Sequence, residues 1–532
     1  PGAFFFLKES FMNRSLKLSA VALLCAFSGL ASASLVVKTD GGLVQGFTKA
    51  VPGTKSQVEV FLGVPYAAAP VGPNRWEEAK PVQSWTGVKS ADWAPPVCKQ
   101  PGKGSEDCLY VNIYRPANMK KGEKLPVGVY AHGGANIVGG ATEQDGSRIA
   151  SENHILYLTV QYRMGAFGFL SLPGMGPSAG NFGITDTEAA LCWVRKNIAN
   201  FGGDPKKVTL VTESAGSTNA CRILVDQKAK GIVDRVVLQS EDCIHDVDTP
   251  AEAKVRADKF LKAAGCDSAS DALACLKKLP SDKLAVASAS VGLWNPVSET
   301  TAASQIEKGN WIRVPVLSGS NKEEGRSGGA AYVGWGKAEY EAWVNKLAGK
   351  NAPEALKHYP ADKYTGKYAI PYAIGDFITD SGMRGLGGCT NLALAEDFGK
   401  TAPAAWIYTF EDSTVPTDKN KKHPDFDNLA SHASELTYFY PDAGRYFTRA
   451  ARMTPAQKAL AKEMRAYWGN FVKTGNPNSR GLPTWKPFKG TGYLMALRLN
   501  GKSKTVPASY FSNLHQCSFW NSIPVILDRG DR

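Results

Sequence analysis

The chain has 532 residues, 43% of them apolar, with a formal net charge of +13. That composition suits a large folded core and excludes a disordered, collagen-like or low-complexity protein. Lys and Arg are scattered, with only short clusters such as Lys419 to Lys422; a nucleic-acid binder concentrates them in stripes, so no nucleic-acid partner is expected.

The first 33 residues do not read as fold. Met12 to Lys17 is short and basic, Ala20 to Leu30 is a brief apolar run, and Ala31-Ser32-Ala33 offers a small-x-small cleavage site. This is the pattern of a secretory signal peptide beginning at Met12, with Ser34 as the first mature residue. The apolar run falls short of the roughly 18 residues a spanning helix needs. Leu24, before Cys25, is too large for a lipid attachment site. Lys8, Arg14 and Lys17 against Glu9 remove a net +2 on cleavage, leaving +11. No later run could cross a bilayer, so an exported protein, periplasmic or secreted, is expected. Residues 34–532 are expected to form a single catalytic domain, because no strong linker separates two cores.

From there the chain alternates. Leu35 to Phe47 reads as a hairpin around Asp40-Gly41-Gly42. Strands are predicted at Cys108 to Tyr114, Leu125 to Tyr130 and Ile155 to Tyr162. A helix over Thr185 to Asn200 puts Ala189, Ala190, Trp193, Val194 and Ile198 on one face. Strands follow at Val208 and at Val233 to Leu238, then a helix-rich stretch from Ala251 to Ser288. The sheet resumes at Val314 to Gly319 and Ala404 to Phe410, and a long helix runs from Pro455 to about Val472. Such alternation implies an α/β protein with a largely parallel sheet and helices on both faces.

Nine cysteines lie beyond residue 33, in keeping with export. Cys98 and Cys108 bracket one short loop, and Cys266 and Cys275 another. Each bridge would stabilise by roughly 2–3 kcal/mol on the chain-entropy estimate. Cys389 and Cys517 could pair at long range. Cys192, Cys221 and Cys243 are left as buried free thiols. None of the spacings is a zinc signature, so no metal is expected.

The stretch from Val208 to Gly216 carries the chemistry. Strand formers climb to Thr212-Glu213-Ser214-Ala215-Gly216, and a helical run follows. A nucleophile elbow has this shape, although Thr212 stands where Gly-x-Ser-x-Gly has its first Gly. A serine there sits over a helix N-terminus whose partial positive charge favours a developing anion.

Ser105 to Tyr114 resembles the second signature of the type-B carboxylesterase family, which includes the cholinesterases. Phe201-Gly202-Gly203-Asp204-Pro205 through Gly216 resembles its nucleophile signature, and Gln516 to Asn521 is similar to members' C-terminal ends. The resemblance spans nearly all of the chain after residue 33. It implies the α/β-hydrolase fold with helical insertions, serine esterase chemistry and no cofactor. The chain has no Asn-x-Ser/Thr acceptor after residue 33, which suits a bacterial exported member.

An attacking serine needs a base, and the base an orienting carboxylate, in the order Ser, acid, His. Glu324, in the loop after the Val314 strand, precedes Gly as the family's acid does; Glu323 is the alternative. His432, in Ser431-His432-Ala433-Ser434-Glu435, resembles the family's histidine loop, with His423 second and His358 and His515 also downstream. By resemblance the oxyanion donors are the N–H groups of Gly134, Ala135 and Ala215. Glu213, Glu435 and Ser240 resemble groups that surround the triad. The family's third Gly is Ala135 here, and Asn136 follows in place of an aromatic residue; Asn136 is expected to make the pocket wall more polar. Glu106 and Arg163 are expected to form a buried ion pair. Choline esters are unfavoured, because the Cys98–Cys108 loop holds Lys99 and Lys103 and no Trp. Small or medium esters are the expected substrates. A lipase acting on aggregated lipid, and an adhesion-type homologue, are the alternatives. Oligomeric state is left open.

Overall fold

The apolar runs of the sequence become the centre of one sheet. A computed structural model describes residues 35–416, 422–441 and 452–526. The signal-peptide features of residues 1–33, and residues 419–421 of the lysine cluster, lie outside the described residues. The strands are β1 (Val36–Lys38), β2 (Leu43–Gln45), β3 (Phe47–Ala50), β4 (Gln57–Pro65), β5 (Val88–Ser90), β6 (Tyr110–Pro116) and β7 (Leu125–Ala131). They continue with β8 (Leu156–Val160), β9 (Gly203–Glu213), β10 (Arg235–Gln239), β11 (Val316–Asn321), β12 (Ala405–Phe410), β13 (Tyr493–Leu497) and β14 (Lys504–Pro507).

The predicted hairpin is β1–β2, which with β5 forms a small separate sheet. The large sheet has the order β14-β13-β12-β11-β10-β9-β7-β8-β6-β4-β3. From β8 through β13 every pairing is parallel, and the antiparallel pairings lie at the two margins. Helices cover both faces, as the two cores show. Leu210, Val236 and Val316 pack in one, whereas their chain neighbours Val211, Val237 and Leu317 pack in the other. Successive side chains of a strand point to opposite faces, so strands covered on both sides read as unbroken apolar runs. The helix Phe182–Asn197 brings Trp193 and Val194 to the first core. The helix Pro455–Thr474 brings Met464, Trp468 and Phe471 to the second. Thr454 caps that long helix through Gln457 N, with Pro455 at its first position, where a missing N–H costs nothing.

Three expected bridges are present: Cys98–Cys108, Cys266–Cys275 and Cys389–Cys517. Two expectations about cysteine fail. Cys221 and Cys243 are not free thiols but form a fourth disulfide, with Cα atoms 5.6 Å apart. Cys221 lies on the helix Ala215–Val225 and Cys243 in the loop after β10, so the pairing of β9 with β10 brings them together across 22 residues. Cys192 is free, as expected, but exposed rather than buried. The pairing of Glu106 with Arg163 also fails. Glu106 takes a bidentate bond from Arg75 at 2.5 and 2.6 Å. Arg163 clasps Asp186 at 2.7 Å through two nitrogens, on the helix that packs beside it. No described helix is long and apolar enough to cross a membrane.

With eight of the nine cysteines beyond residue 33 bridged, alkylation of unfolded, unreduced protein lacking residues 1–33 is expected to modify Cys192 alone. Peptide mass mapping checks this; labelling of Cys221 or Cys243 without reductant contradicts the fourth bridge.

Candidate active site

The parallel strands end on one edge, and the predicted site residues leave from those ends. Ala131 of β7 pairs with Thr212 of β9, Glu213 with Gln239 of β10, and Gln239 with Gly319 of β11. Ser214 follows β9 at once with φ 52° and ψ −130°, and the helix Ala215–Val225 begins behind it. A non-glycine residue there is strained, as an elbow requires. Gly216 makes the turn possible: a Cβ there would lie 2.3 Å from the Ala131 carbonyl oxygen. Thr212, the departure from the pattern, is accommodated. Its hydroxyl lies 2.9 Å from Ser217 Oγ and bonds the Val237 carbonyl at 2.8 Å.

The structure brings Ser214, His432 and Glu324 together. His432 Nε2 lies 2.8 Å from Ser214 Oγ, and Nδ1 lies 2.7 Å from Glu324 Oε2. The second Glu324 oxygen accepts from Ser240 Oγ at 2.6 Å and from the Asn321 N–H at 2.7 Å. His432 N–H donates to the Glu324 carbonyl at 3.0 Å, fixing one loop on the other. Glu323 faces elsewhere, accepting from Ser413 Oγ and the Ala430 N–H. Of the other histidines, His423 stands edge-on to Tyr368, His515 pairs with Asp380 and His358 with Gln516.

Two more buried carboxylates surround the imidazole. Glu213 Oε1 is 3.4 Å from His432 Nε2. Glu435 is held by Gln239 Nε2 at 2.9 Å and by Asn321 Nδ2 at 2.6 Å. Burial alone would lower the affinity of His432 for a proton. The Glu324 carboxylate, with Glu213 and Glu435 adding to it, reverses this and pushes the group up to about 10. Burial pushes Glu213 up to about 8 and also raises Glu435. Asn321 and Gln239, which hold this group in place, have no motif of their own; only their positions at strand ends mark them.

Beside Ser214 lies a cavity of about 470 Å³. Gly134 and Ala135 line it with φ 111° and 57°. Asn136 does not make the wall polar, contrary to expectation. It turns inward, donating to Asn219 Oδ1 and the Trp294 carbonyl, and is 1% exposed.

A strained serine turn over a parallel sheet, with converging loops at its carboxyl edge, defines the α/β-hydrolase fold. Residues 33–520 match the model of the carboxylesterase family. The chain is 30% identical to carboxylesterase 1D of Rattus norvegicus, over 88% of this chain and 91% of that protein. It is 29% identical to the cocaine esterase of Homo sapiens, over 91% and 92%. The solved structure titled PNB esterase matches with a TM-score of 0.72 at 27% identity, covering 91% of this chain and 100% of that one. This chain belongs to the carboxylesterase family. It is an esterase.

If His432 must be neutral to accept a proton, kcat/KM falls as pH drops through its raised value. The acid limb is expected above the ordinary imidazole value of 6.5. Glu213→Gln removes one raising charge, so its acid limb is expected at lower pH than that of the wild type. A pH profile of kcat/KM on a neutral ester checks both; an unmoved or raised limb in the variant contradicts the electrostatic account.

Proposed function

We propose that the enzyme is a serine carboxylic-ester hydrolase working through Ser214, His432 and Glu324. The unbroken line of hydrogen bonds from Glu324 through His432 to Ser214 carries this reading. His432 Nε2 takes the Ser214 proton as Oγ attacks the ester carbonyl. Glu324 holds Nδ1–H and balances the imidazolium. The oxyanion forms against the N–H groups of Gly134, Ala135 and Ala215, a term typically worth on the order of 10²–10³ in rate per donor. The alcohol departs with the proton from Nε2, leaving an acyl-serine. Water, deprotonated by His432, then releases the acid and restores Ser214.

Small or medium non-choline esters suit the cavity and its surroundings. The Cys98–Cys108 loop supplies no aromatic platform for a cation. Its lysines do not act as free positive charges, as the sequence suggested: Lys99 pairs with Asp282 and Lys103 with Glu143.

Export is supported by the four disulfides and by the cleavage pattern at Ala31-Ser32-Ala33. N-terminal sequencing of protein recovered outside the cytoplasm is expected to begin at Ser34; an uncleaved chain contradicts this.

Ser214→Ala is expected to lower turnover of a simple aryl ester on the order of 10⁶-fold, by comparison with other triads. A fluorophosphonate probe is expected to label wild-type Ser214 and to leave the variant unlabelled. A variant turning over at the wild-type rate removes Ser214 from the chemistry.

A further inference from the structure

Asn321 ends β11 and is fully buried. Three hydrogen bonds leave it for three parts of the site. Its backbone N–H donates to Glu324 Oε1 at 2.7 Å. Its side-chain Nδ2 donates to Glu435 Oε2 at 2.6 Å and to the Ser431 carbonyl at 3.0 Å. Its Oδ1 is buried without a hydrogen-bond partner among the described residues. Buried polar groups are normally paired, so this side chain leaves its acceptor unused and commits both its donors. A carbonyl only accepts, which fixes Nδ2 on the Ser431 side. Two donors on one uncharged group of this size are what a carboxamide offers; a carboxyl of the same shape has one at most, and only while protonated.

The Ser431 contact is the one that reaches the chemistry. The Ser431 carbonyl and the His432 N–H belong to one planar peptide unit and point to opposite sides of it. Asn321 Nδ2 holds the carbonyl, and the Glu324 carbonyl takes the N–H at 3.0 Å. Two residues three apart on one turn therefore grip this unit from both sides, and the His432 Cα follows it directly. The next residue, Ala433, has φ 62°, a conformation that persists only where the surroundings impose it. Glu435, three residues beyond His432, is fixed by the same Nδ2, and on its other oxygen by Gln239 Nε2 at 2.9 Å. One carboxamide thus docks the histidine loop both before and after His432.

We propose that Asn321 is a positioning residue for the reaction: its two side-chain donors hold the His432 loop on the Glu324 turn, so that Nε2 stays on Ser214 Oγ while Nδ1 stays on Glu324. Asn321 does not line the cavity beside Ser214, so it acts through His432 rather than on the ester. It also bears on the charge around the imidazole. Its bond to Glu435 favours the charged carboxylate, and that charge favours protonated His432. The other ionisable groups facing this pair are Glu213, Glu324, Tyr130 of β7 and Tyr408 of β12, and substitution of Asn321 leaves all four in place. The inference rests on the serine-hydrolase reading of the same site.

The test compares Asn321→Leu, which removes both donors, with Asn321→Asp, which keeps the shape. Turnover of an aryl ester is measured per site titrated with a fluorophosphonate, so that misfolded protein does not count. In Asn321→Leu, kcat is expected to fall roughly tenfold or more, the effect of leaving buried acceptors unpaired, with KM within about twofold of wild type because uniform binding is untouched. Its acid limb in kcat/KM is expected at lower pH, because Glu435 without this donor takes up a proton more readily and raises His432 less. In Asn321→Asp, kcat relative to wild type is expected to decline as pH rises and the proton that serves as its one donor is lost. A residue serving stability alone would lower Tm in both variants and leave kcat per titrated site and the limb unmoved. A wild-type kcat with an unmoved limb in Asn321→Leu, a raised KM with kcat unchanged, or an Asn321→Asp ratio independent of pH overturns the inference. Should Asn321→Leu yield no titratable sites, Asn321→Asp decides. Ser214→Ala separates the two readings: full turnover there overturns the hydrolase reading, whereas failure confined to the Asn321 variants leaves it standing.

Discussion

Everything at the carboxyl edge depends on keeping one buried carboxylate in place. Glu324 is fully buried, and a charge in that position survives only if its oxygens are satisfied. Ser240, the Asn321 N–H and His432 Nδ1 satisfy them. These partners come from the end of β10, the end of β11 and the loop beyond β12. The register of the parallel strands is therefore what sets the distance from His432 to Ser214. A slip by one residue would turn alternate side chains to the wrong face and dismantle the carboxylate's coordination along with the line to the serine.

That coordination explains why three carboxylates can share so small a volume. Glu324 is the one against the imidazole. Glu435 is held by amide donors, through Gln239 and Asn321. Among the described residues Glu213 has no such donors, and burial pushes it up to about 8. The site thus separates its acids by environment, as enzymes that run acid and base chemistry together do. One carboxylate lies against the imidazole, and another, beside the cavity, is pushed up by burial to about 8.

Much of this was legible in the sequence because it is written locally. A run of strand formers ending in Ser214-Ala215-Gly216 dictates a strand, a sharp turn and a helix within a dozen or so residues. Glu324 and His432 needed chain order and the resemblance of their loops to a family, since nothing local distinguishes Glu324 from Glu323. What failed was pairing across the fold. Glu106 and Arg163 are each half of an ion pair, but their partners, Arg75 and Asp186, come from segments that carry no sign of them. Cys221 and Cys243 looked unpaired because their spacing matches no short loop; only the adjacency of β9 and β10 brings them together. Asn136 looked like pocket lining and is instead core, because its amide finds Asn219 and the Trp294 carbonyl.

Three of these positions, Cys221, Cys243 and Asn136, share one physical role. The helix that begins at Ser214 is tied sideways at successive residues along its first two turns. Ser217 bonds Thr212 on β9, Thr218 bonds Glu241 in the loop after β10, and Asn219 bonds Asn136 beyond the glycine loop. Cys221 is bridged to Cys243. A residue with positive φ and a bulky Thr behind it places strain where the chain turns, and strain persists only when the surroundings over-determine the conformation. The Thr212 hydroxyl, a departure from the usual glycine, is itself one of the ties. Departures from the family pattern at Thr212 and Asn136 are therefore parts of one lateral framework. It fixes the N-terminus of the helix, and with it the Ser214 hydroxyl, against the strands that carry its partners.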